Sequence, residues 1–174
     1  MRRVRYSVAA SLDGYIAGYR GEFDWIPEDP EIDFEALFAR VDTVLLGRRS
    51  YELVLDSGAA PWPSASRVFV FSRSLRQADH PEVMVVADGA ASVVEALRNE
   101  PGHGEIWLFG GGVLFKSLLN ARQVDVVEVA VVPILLGGGV PLLPAGAPRT
   151  RLALTGTRAY PSGIVSLSYS VQAE

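Results

Sequence analysis

The sequence predicts a single α/β domain whose mixed, mostly parallel twisted sheet is flanked by helices and ends in antiparallel strands. Over the first two thirds of the chain, short apolar runs rich in β-branched residues alternate with helical or loop segments, a pattern typical of parallel strands that are covered on both faces. Two strand-like runs follow, residues 151–160 and 164–172, with only Pro161-Ser162-Gly163 between them. So short a connection requires antiparallel pairing.

Composition limits the class of protein. The 174 residues are 49% hydrophobic and 21% charged, which suits one domain over residues 1–174 with a full core. The net charge of -4 argues against a nucleic acid or an anionic membrane as a partner. Because the chain has no cysteine and two histidines, we expect no disulfide, no thiolate chemistry and no metal. Without a secretory signal or a membrane-spanning run, the sequence suggests a cytoplasmic protein.

Local patterns predict the individual elements. Apolar or β-branched runs predict strands at residues 4–10, 41–46, 67–71, 83–86, 106–109 and 124–136. An acidic start with apolar residues three and four apart predicts a helix over residues 33–40, and the capping-box spacing of Ser92 and Glu95 predicts that another helix begins at Ser92. The acidic, irregular residues 20–33 predict a loop that could act as a lid.

Three consecutive glycines, Gly110 to Gly112, separate the strand at 106–109 from residues with helical spacing. This order predicts a strand, a tight turn and a helix. Glycines let a ligand approach the backbone closely, and the first N–H groups of a helix attract anions such as phosphate. A tight connection between strand and helix, with no ligand involved, explains the glycines equally well. The G-x-G-x-x-G spacing that would favour a dinucleotide is absent.

Two other predicted strands end in residue types that bind anions. Gly47-Arg48-Arg49-Ser50 follows the strand at 41–46, and Ser72-Arg73-Ser74 follows the strand at 67–71. Taken alone, the arginine pair is more typical of a solvated surface. Ligands of open α/β sheets, however, bind at the carboxyl ends of strands, so one extended ligand that carries phosphate could contact all three strand ends. A dinucleotide fits this arrangement better than a small anion.

Four motifs, in this order, resemble the dihydrofolate-reductase-like superfamily, and most of all its branch that contains the C-terminal reductase domain of bacterial bifunctional riboflavin enzymes. They are residues 11–17, 46–52, 109–112 and 133–139, which read SLDGYIA, LGRRSYE, FGGG and PILLGGG. The resemblance spans nearly the whole chain. It implies the dihydrofolate-reductase-like fold and an NADPH-dependent reductase similar to the 5-amino-6-(5-phosphoribosylamino)uracil reductase of riboflavin biosynthesis.

The resemblance also implies roles for individual residues. Ala9, Ile16 and Ala17 match positions that line the nicotinamide. Ser72 and Arg73 match the strand end that binds the 2′-phosphate of the adenosine ribose, which would select NADPH over NADH. The remaining cofactor positions, most of them on the pyrophosphate side, are Gly47, Arg48, Ser50, Gly111, Gly112, Val113 and Leu114. In this fold the Gly-Gly peptide of the glycine turn is commonly cis.

Reduction by hydride also needs an oriented substrate and a proton source. Asp13 is the expected catalytic carboxylate, since it lies in the riboflavin-type motif, although a turn residue that bonds its own backbone is an equal alternative. Trp25 and Tyr51 are the expected substrate contacts. The sequence does not contain the arginine- and proline-rich loop that grips the substrate's ribose phosphate in riboflavin reductases. This difference puts a phosphorylated substrate in doubt and favours another heterocycle or a small carbonyl compound.

Other functions stay open at this point. One is a non-catalytic nucleotide-binding or dimerisation module that has kept the fold, and another is a dihydrofolate or pterin reductase. We also expect a homodimer, because residues 124–136 and the C-terminal hairpin place more β-branched surface at one end of the sheet than a small domain would bury.

Overall fold

The structure is a computed structural model that describes residues 1–58 and 60–172. The strands are β1 (Val4–Ser11), β2 (Tyr15–Ala17), β3 (Val41–Gly47), β4 (Arg67–Phe71), β5 (Met84–Val86), β6 (Glu105–Gly110), β7 (Val126–Val132), β8 (Val140–Pro141), β9 (Leu152–Ala159) and β10 (Val165–Val171). The helices are α1 (Phe34–Phe38), α2 (Arg48–Ser57), α3 (Ala90–Asn99) and α4 (Gly112–Asn120), with a 3₁₀ turn at Gln77–Asp79. None of the helices in the described ranges is long and apolar enough to cross a membrane.

Eight of the strands form one sheet in the order β5-β4-β3-β6-β1-β7-β10-β9. The neighbouring pairs from β5 to β7 are parallel, whereas β10 is antiparallel to both β7 and β9. The predicted fold class, including the antiparallel C-terminal hairpin, is confirmed. Because β1, β3, β4 and β6 are parallel, their carboxyl ends lie along the same edge of the sheet.

Side chains alternate between the two faces of the sheet and pack against different helices. Along β3, Leu45 belongs to the core formed with α3 and α4, whereas Val44 and Leu46 belong to the core formed with α2. On the first face, Tyr6 of β1 stacks on Phe115 of α4 with ring centroids 3.8 Å apart. The two cores fix α2 and α4 on opposite faces of the sheet, and each of these helices begins where a central strand ends.

Three elements differ from the sequence prediction for local reasons. The sequence pattern does not reveal α2, because Tyr51 is its one buried residue and its apolar stripe is correspondingly short. α3 begins at Ala90 after Gly89, which adopts a left-handed φ of 72°, so Ser92 lies inside the helix and does not cap it. β7 ends at Val132, earlier than predicted, because Pro133 has no N–H to continue the ladder.

A small second sheet, in which β2 pairs with β8 in antiparallel fashion, was not predicted and covers the start of α4. The Leu142 N–H donates to Gly14 O at 2.9 Å, which fixes the segment after β8. A Cβ added to Gly112 would lie 2.7 Å from Pro141 O and 2.9 Å from Pro144 Cδ. Glycine is therefore required at position 112 because the 141–144 segment occupies the space of a side chain.

We expect Gly112→Ala to lower the free energy of unfolding by about 1–3 kcal/mol, the usual cost of forcing an extra methyl group into a packed region. Gly156→Ala is the matched control, since a Cβ there would meet only Ser168 Cβ, at an ordinary 3.9 Å. Urea unfolding of both variants measures the difference. Equal stability of the two variants would contradict the packing described for the start of α4.

Candidate active site

Two helix N-termini meet at the carboxyl edge of the sheet, where the neighbouring strands β3 and β6 end. Gly47 is the N-cap of α2 and Gly111 is the N-cap of α4, and neither helix has a side-chain cap. A Cβ on Gly47 would lie 3.7 Å from Gly111 N, so the two helix starts are in contact. Each start carries N–H groups that no helical carbonyl can accept, together with the positive end of the helix dipole. This arrangement suits an anion such as phosphate.

Ser50 and the glycine turn pack against each other. A Cβ on Gly110 would lie 2.9 Å from Ser50 Oγ, and one on Gly111 would lie 3.5 Å from the same atom. The Gly110–Gly111 peptide is cis, as the resemblance implied. Ser50 therefore lies directly beside the turn and could offer its hydroxyl to a ligand bound there.

Two of the three glycines, Gly110 and Gly112, have packing contacts that do not depend on a ligand. A side chain on Gly110 would displace the Ser50 hydroxyl, and Gly112 is required by the 141–144 segment. The structure thus gives the glycine at position 112 a packing reason, and its expected place in the cofactor site stays a prediction. Val113 and Leu114 follow in the first turn of α4, where Val113 is 76% exposed and Leu114 is buried. Their expected contact with an anion would therefore be made by the backbone N–H groups.

The arginines at the strand ends are exposed. The Arg48 guanidinium lies 3.3 Å from Glu52 Oε1, in an ion pair whose two side chains are each almost half exposed. Such pairs contribute little and are easily redirected to a ligand. Arg73 follows β4 and makes no hydrogen bond or ion pair with any residue that the structure describes. Ser72 is buried, and its Oγ accepts the N–H groups of Ser74 and Leu75 at 3.2 and 3.1 Å. Ser72 thus shapes the turn that presents Arg73.

The turn between β1 and β2 is fixed by Asp13. Its carboxylate accepts the Ser11 hydroxyl at 2.6 Å, the Leu136 N–H at 3.1 Å and the Gly137 N–H at 2.7 Å. The Ser11 hydroxyl, followed by the two backbone N–H groups, lowers the pKa of Asp13 below its ordinary value. Asp13 is therefore ionised at neutral pH and anchors the 134–139 loop to the turn. These contacts support the turn-residue alternative, and the catalytic role of Asp13 stays a prediction.

The expected nicotinamide positions lie on β1 and β2, next to this anchored loop. Ala17 is buried, and its carbonyl packs against Gly139, which adopts a φ of 138°. Ile16 is partly buried against the core, and Ala9 is half-buried on β1. The structure thus brings these three residues to the end of β1, which is separated from the end of β3 by β6 alone.

The two expected substrate contacts lie in different surroundings. Trp25 is half-buried in the loop before α1, where its indole N–H donates to Glu22 O at 3.0 Å. Tyr51 is only 2% exposed, its hydroxyl donates to Glu82, and it lies 3.1 Å from His80 Nδ1. Burial, and then the Glu82 carboxylate, raise the pKa of Tyr51. Tyr51 is thus a core residue that ties α2 to the segment before β5, and its expected contact with substrate stays a prediction.

Sequence reasoning missed an aromatic cleft beside α1. A shallow, open depression of about 550 Å³ lies between the end of this helix and residues 60–63, with Phe38 and Trp62 on its two sides. The signal that could have indicated it is the Pro61-Trp62-Pro63 segment, since two prolines restrict the backbone around one large aromatic residue. The composition of this loop suggested only a break between elements.

Asp13 also contributes to the pH dependence of stability. The pKa of Asp13 is lower in the folded chain than in the unfolded chain. Its carboxylate therefore contributes fully to the free energy of unfolding above the ordinary aspartate pKa, about 3.9. That contribution is lost as the pH falls through the pKa of the folded chain. We expect Asp13→Asn to have a lower Tm than the wild type at pH 7, and the gap to narrow below about pH 4. A Tm difference that stays constant from pH 7 to pH 2 would contradict the anchoring role.

Comparisons with known proteins agree with this architecture. The family model of the RibD C-terminal domain matches residues 2–166. The uncharacterized protein YyaP of Bacillus subtilis is 32% identical, over 97% of this chain and 94% of YyaP. A putative riboflavin biosynthesis protein from Shewanella has a crystal structure that is similar with a TM-score of 0.83 and 30% identity, over 99% of this chain and 100% of that one.

A more distant structure shares the fold alone. Dihydrofolate reductase from Enterococcus faecalis, complexed with NADP(H), is similar with a TM-score of 0.70 at 17% identity, over 98% of this chain and 97% of that one. The family model, which covers nearly the whole chain, decides the classification. This chain belongs to the RibD C-terminal domain family.

Proposed function

We propose that this protein is an NADPH-dependent reductase that delivers hydride to a C=N or C=O bond of a small heterocyclic or carbonyl substrate. The observation that carries the proposal is the contact between the two uncapped helix N-termini at Gly47 and Gly111. Adjacent helix starts at the ends of parallel strands suit a pyrophosphate, whose charges lie a few ångströms apart.

The surrounding residues support an extended dinucleotide. The pyrophosphate would contact the first N–H groups of α4, with Arg48 and the Ser50 hydroxyl beside it. Arg73, which has a free guanidinium among the described residues, would bind the adenosine 2′-phosphate. The nicotinamide would lie over Ala9, Ile16 and Ala17, beside the 134–139 loop that Asp13 anchors. The fit agrees with the NADP(H) that the dihydrofolate reductase of the same fold binds.

Bound NADPH would supply the hydride, and the protein would supply position and charge. The Asp13 carboxylate holds the 134–139 loop against the β1–β2 turn through three hydrogen bonds. It thereby keeps the end of β1 in one conformation. In this account Asp13 acts as a positioning residue, and the uncapped N–H groups of α2 and α4 act on the cofactor phosphates.

Two arginine variants test the proposal. Arg73→Ala removes a charge-assisted contact worth about 1.5–3 kcal/mol, so it should weaken NADPH binding by roughly ten- to a hundredfold and leave NADH binding almost unchanged. Arg48→Ala should weaken both cofactors alike, because pyrophosphate is common to both. Calorimetric titration of each variant with both cofactors measures the pattern.

Arg76→Ala is the matched control, since Arg76 is also exposed but pairs with Asp79 at 2.9 Å. Its affinity for both cofactors should equal that of the wild type. Equal losses for NADPH and NADH in Arg73→Ala would remove Arg73 from the 2′-phosphate. Failure of the wild type to bind either cofactor would overturn the proposed function.

We also propose that the chain forms a homodimer through β9. The valines of β7 that sequence analysis assigned to the interface are mostly buried in the protomer's own core, so that part of the expectation is corrected. β9 is instead an edge strand of the sheet, with Leu152 42% and Leu154 58% exposed. Pairing of two such edges about a twofold axis would cover both the leucines and the open hydrogen-bonding groups.

Leu154→Glu should convert the dimer to a monomer in light scattering at micromolar concentration. Leu55→Glu is the control, because Leu55 is a comparably exposed leucine on α2, and it should leave the dimer intact. A monomeric wild type would refute this assembly, as would a dimer that survives Leu154→Glu.

A further inference from the structure

A second group of arginines lies at the edge of the sheet opposite the candidate active site, where the central strands begin. β1 and β6 are parallel, with Val4 opposite Ile106, so the segments that precede these strands lie side by side. An open depression of about 610 Å³ is lined there by residues 1–3 and 98–105. The eight residues of β1 separate this depression from the cofactor edge by about 25 Å, so the depression is a different site.

Arg98 is the residue of this depression whose bonding is incomplete. It lies in the last turn of α3 and is only 8% exposed. Its Nη2 donates to Asp125 Oδ1 at 2.8 Å. Its Nε and Nη1 are enclosed and have no hydrogen-bond partner among the residues that the structure describes. Because a buried charged donor without an acceptor is destabilising, these two N–H groups require an acceptor from outside the described chain.

The two carboxylates that line the depression are bound to other arginines. Glu105 accepts the Arg5 Nε–H and Nη2–H groups with its two oxygens, at 2.7 and 2.9 Å. Glu100 Oε2 accepts an N–H of Arg67 at 2.7 Å. Arg5 and Arg67 therefore offset much of the negative charge that would otherwise repel an anion from this place.

The arginines of the depression outnumber its carboxylates. Arg2 is buried and paired with Asp42. Burial, and then the nearby charge of Arg67, lower the pKa of Arg2, although Glu100 acts in the opposite direction. Arg3 is exposed, and its side chain makes no hydrogen bond or ion pair with any described residue. Cations are thus crowded here although the chain as a whole has a net charge of -4, which favours the entry of an anion.

We propose that this depression binds a small dianionic oxyanion of the phosphate type, with Arg98 and Arg3 as its charged contacts. A turn of the Arg98 guanidinium about its bond to Asp125 would aim Nε and Nη1 at the ligand, and it would break no hydrogen bond of these atoms because they make none. Charge-assisted bonds from guanidinium groups suit phosphate oxygens. The net charge of -4 would repel an extended polyanion, which limits the ligand to a small one.

NMR of the ¹⁵N-labelled full chain at neutral pH tests the site. Sodium phosphate, methyl phosphate and sodium chloride are added in separate titrations at equal ionic strength. Both phosphates should shift the Arg98 Nε–H signal and the amides of residues 98–105 with saturation, whereas chloride should not. The amides of residues 48–50 and 112–114 are followed in the same spectra, so phosphate that binds at the candidate cofactor site is measured separately.

Variants assign the binding to the two arginines. Arg98→Gln should weaken phosphate binding at residues 98–105 by roughly tenfold, as expected for the loss of a charge-assisted bond. Arg3→Ala should weaken it by roughly three- to fivefold, because Arg3 is exposed to solvent, and this variant removes no bond that the fold uses. Arg149→Ala is the matched control, since Arg149 is also exposed and does not line the depression. It should leave the phosphate affinity unchanged.

The results separate the ligand, the site and the proposed reductase. Methyl phosphate that binds as tightly as phosphate would assign the site to phosphate esters, and weaker binding would assign it to the free ion; both results support the site. Shifts that chloride reproduces, or unchanged phosphate affinity in Arg3→Ala and in a folded Arg98→Gln variant, would overturn it. A wild type that shows the expected shifts at residues 98–105 but does not bind NADPH would overturn the proposed function alone.

Discussion

The candidate site depends on the close approach of two glycine backbones, Gly47 at the end of β3 and Gly111 after β6. A side chain on Gly47 would bring its Cβ to 3.7 Å from the Gly111 nitrogen. This contact lets α2 and α4 begin side by side although they pack on opposite faces of the sheet. Two helix starts without side-chain caps then present their N–H groups to the same region. Their dipoles reinforce each other there, and the arrangement is most favourable when an anion binds.

The charges of the protein are distributed in keeping with this arrangement. The chain is acidic overall, with a net charge of -4, yet key carboxylates near the edge of the sheet serve as acceptors for the backbone. Asp13 holds the 134–139 loop, and Asp29 accepts the N–H groups of Glu31 and Ser162 at 2.9 and 2.8 Å, which joins the loop before α1 to the β9–β10 turn. The arginines at the strand ends remain available for a ligand.

The sequence was sufficient for the features that follow from local patterns. The alternation of buried strands with helices predicted the parallel sheet, the short turn at Pro161-Ser162-Gly163 predicted the antiparallel hairpin, and the glycines at 110–112 predicted the turn before α4. All three are observed. Four short motifs in a fixed order along the chain, among them the one that contains Gly47-Arg48, indicated the family.

Features that depend on contacts between distant segments could not be predicted. The need for glycine at position 112 comes from the carbonyl of Pro141, which only the fold brings into contact with α4. Tyr51 belongs to a motif that resembles a ligand-binding one, but its hydroxyl is bound by Glu82, which is 31 residues away along the chain. The cleft between Phe38 and Trp62 likewise arises where α1 and the 60–63 segment meet over β6.

The central claim, that the two helix starts form one phosphate site, is tested most directly by NMR. Inorganic pyrophosphate, and then NADPH, is added to the ¹⁵N-labelled protein, and the backbone amide shifts are followed. Both ligands should shift the amides of Arg48 to Ser50 together with those of Gly112 to Leu114, and NADPH should in addition shift the amides near Arg73. Shifts at one helix start alone, or at neither, would contradict a shared site.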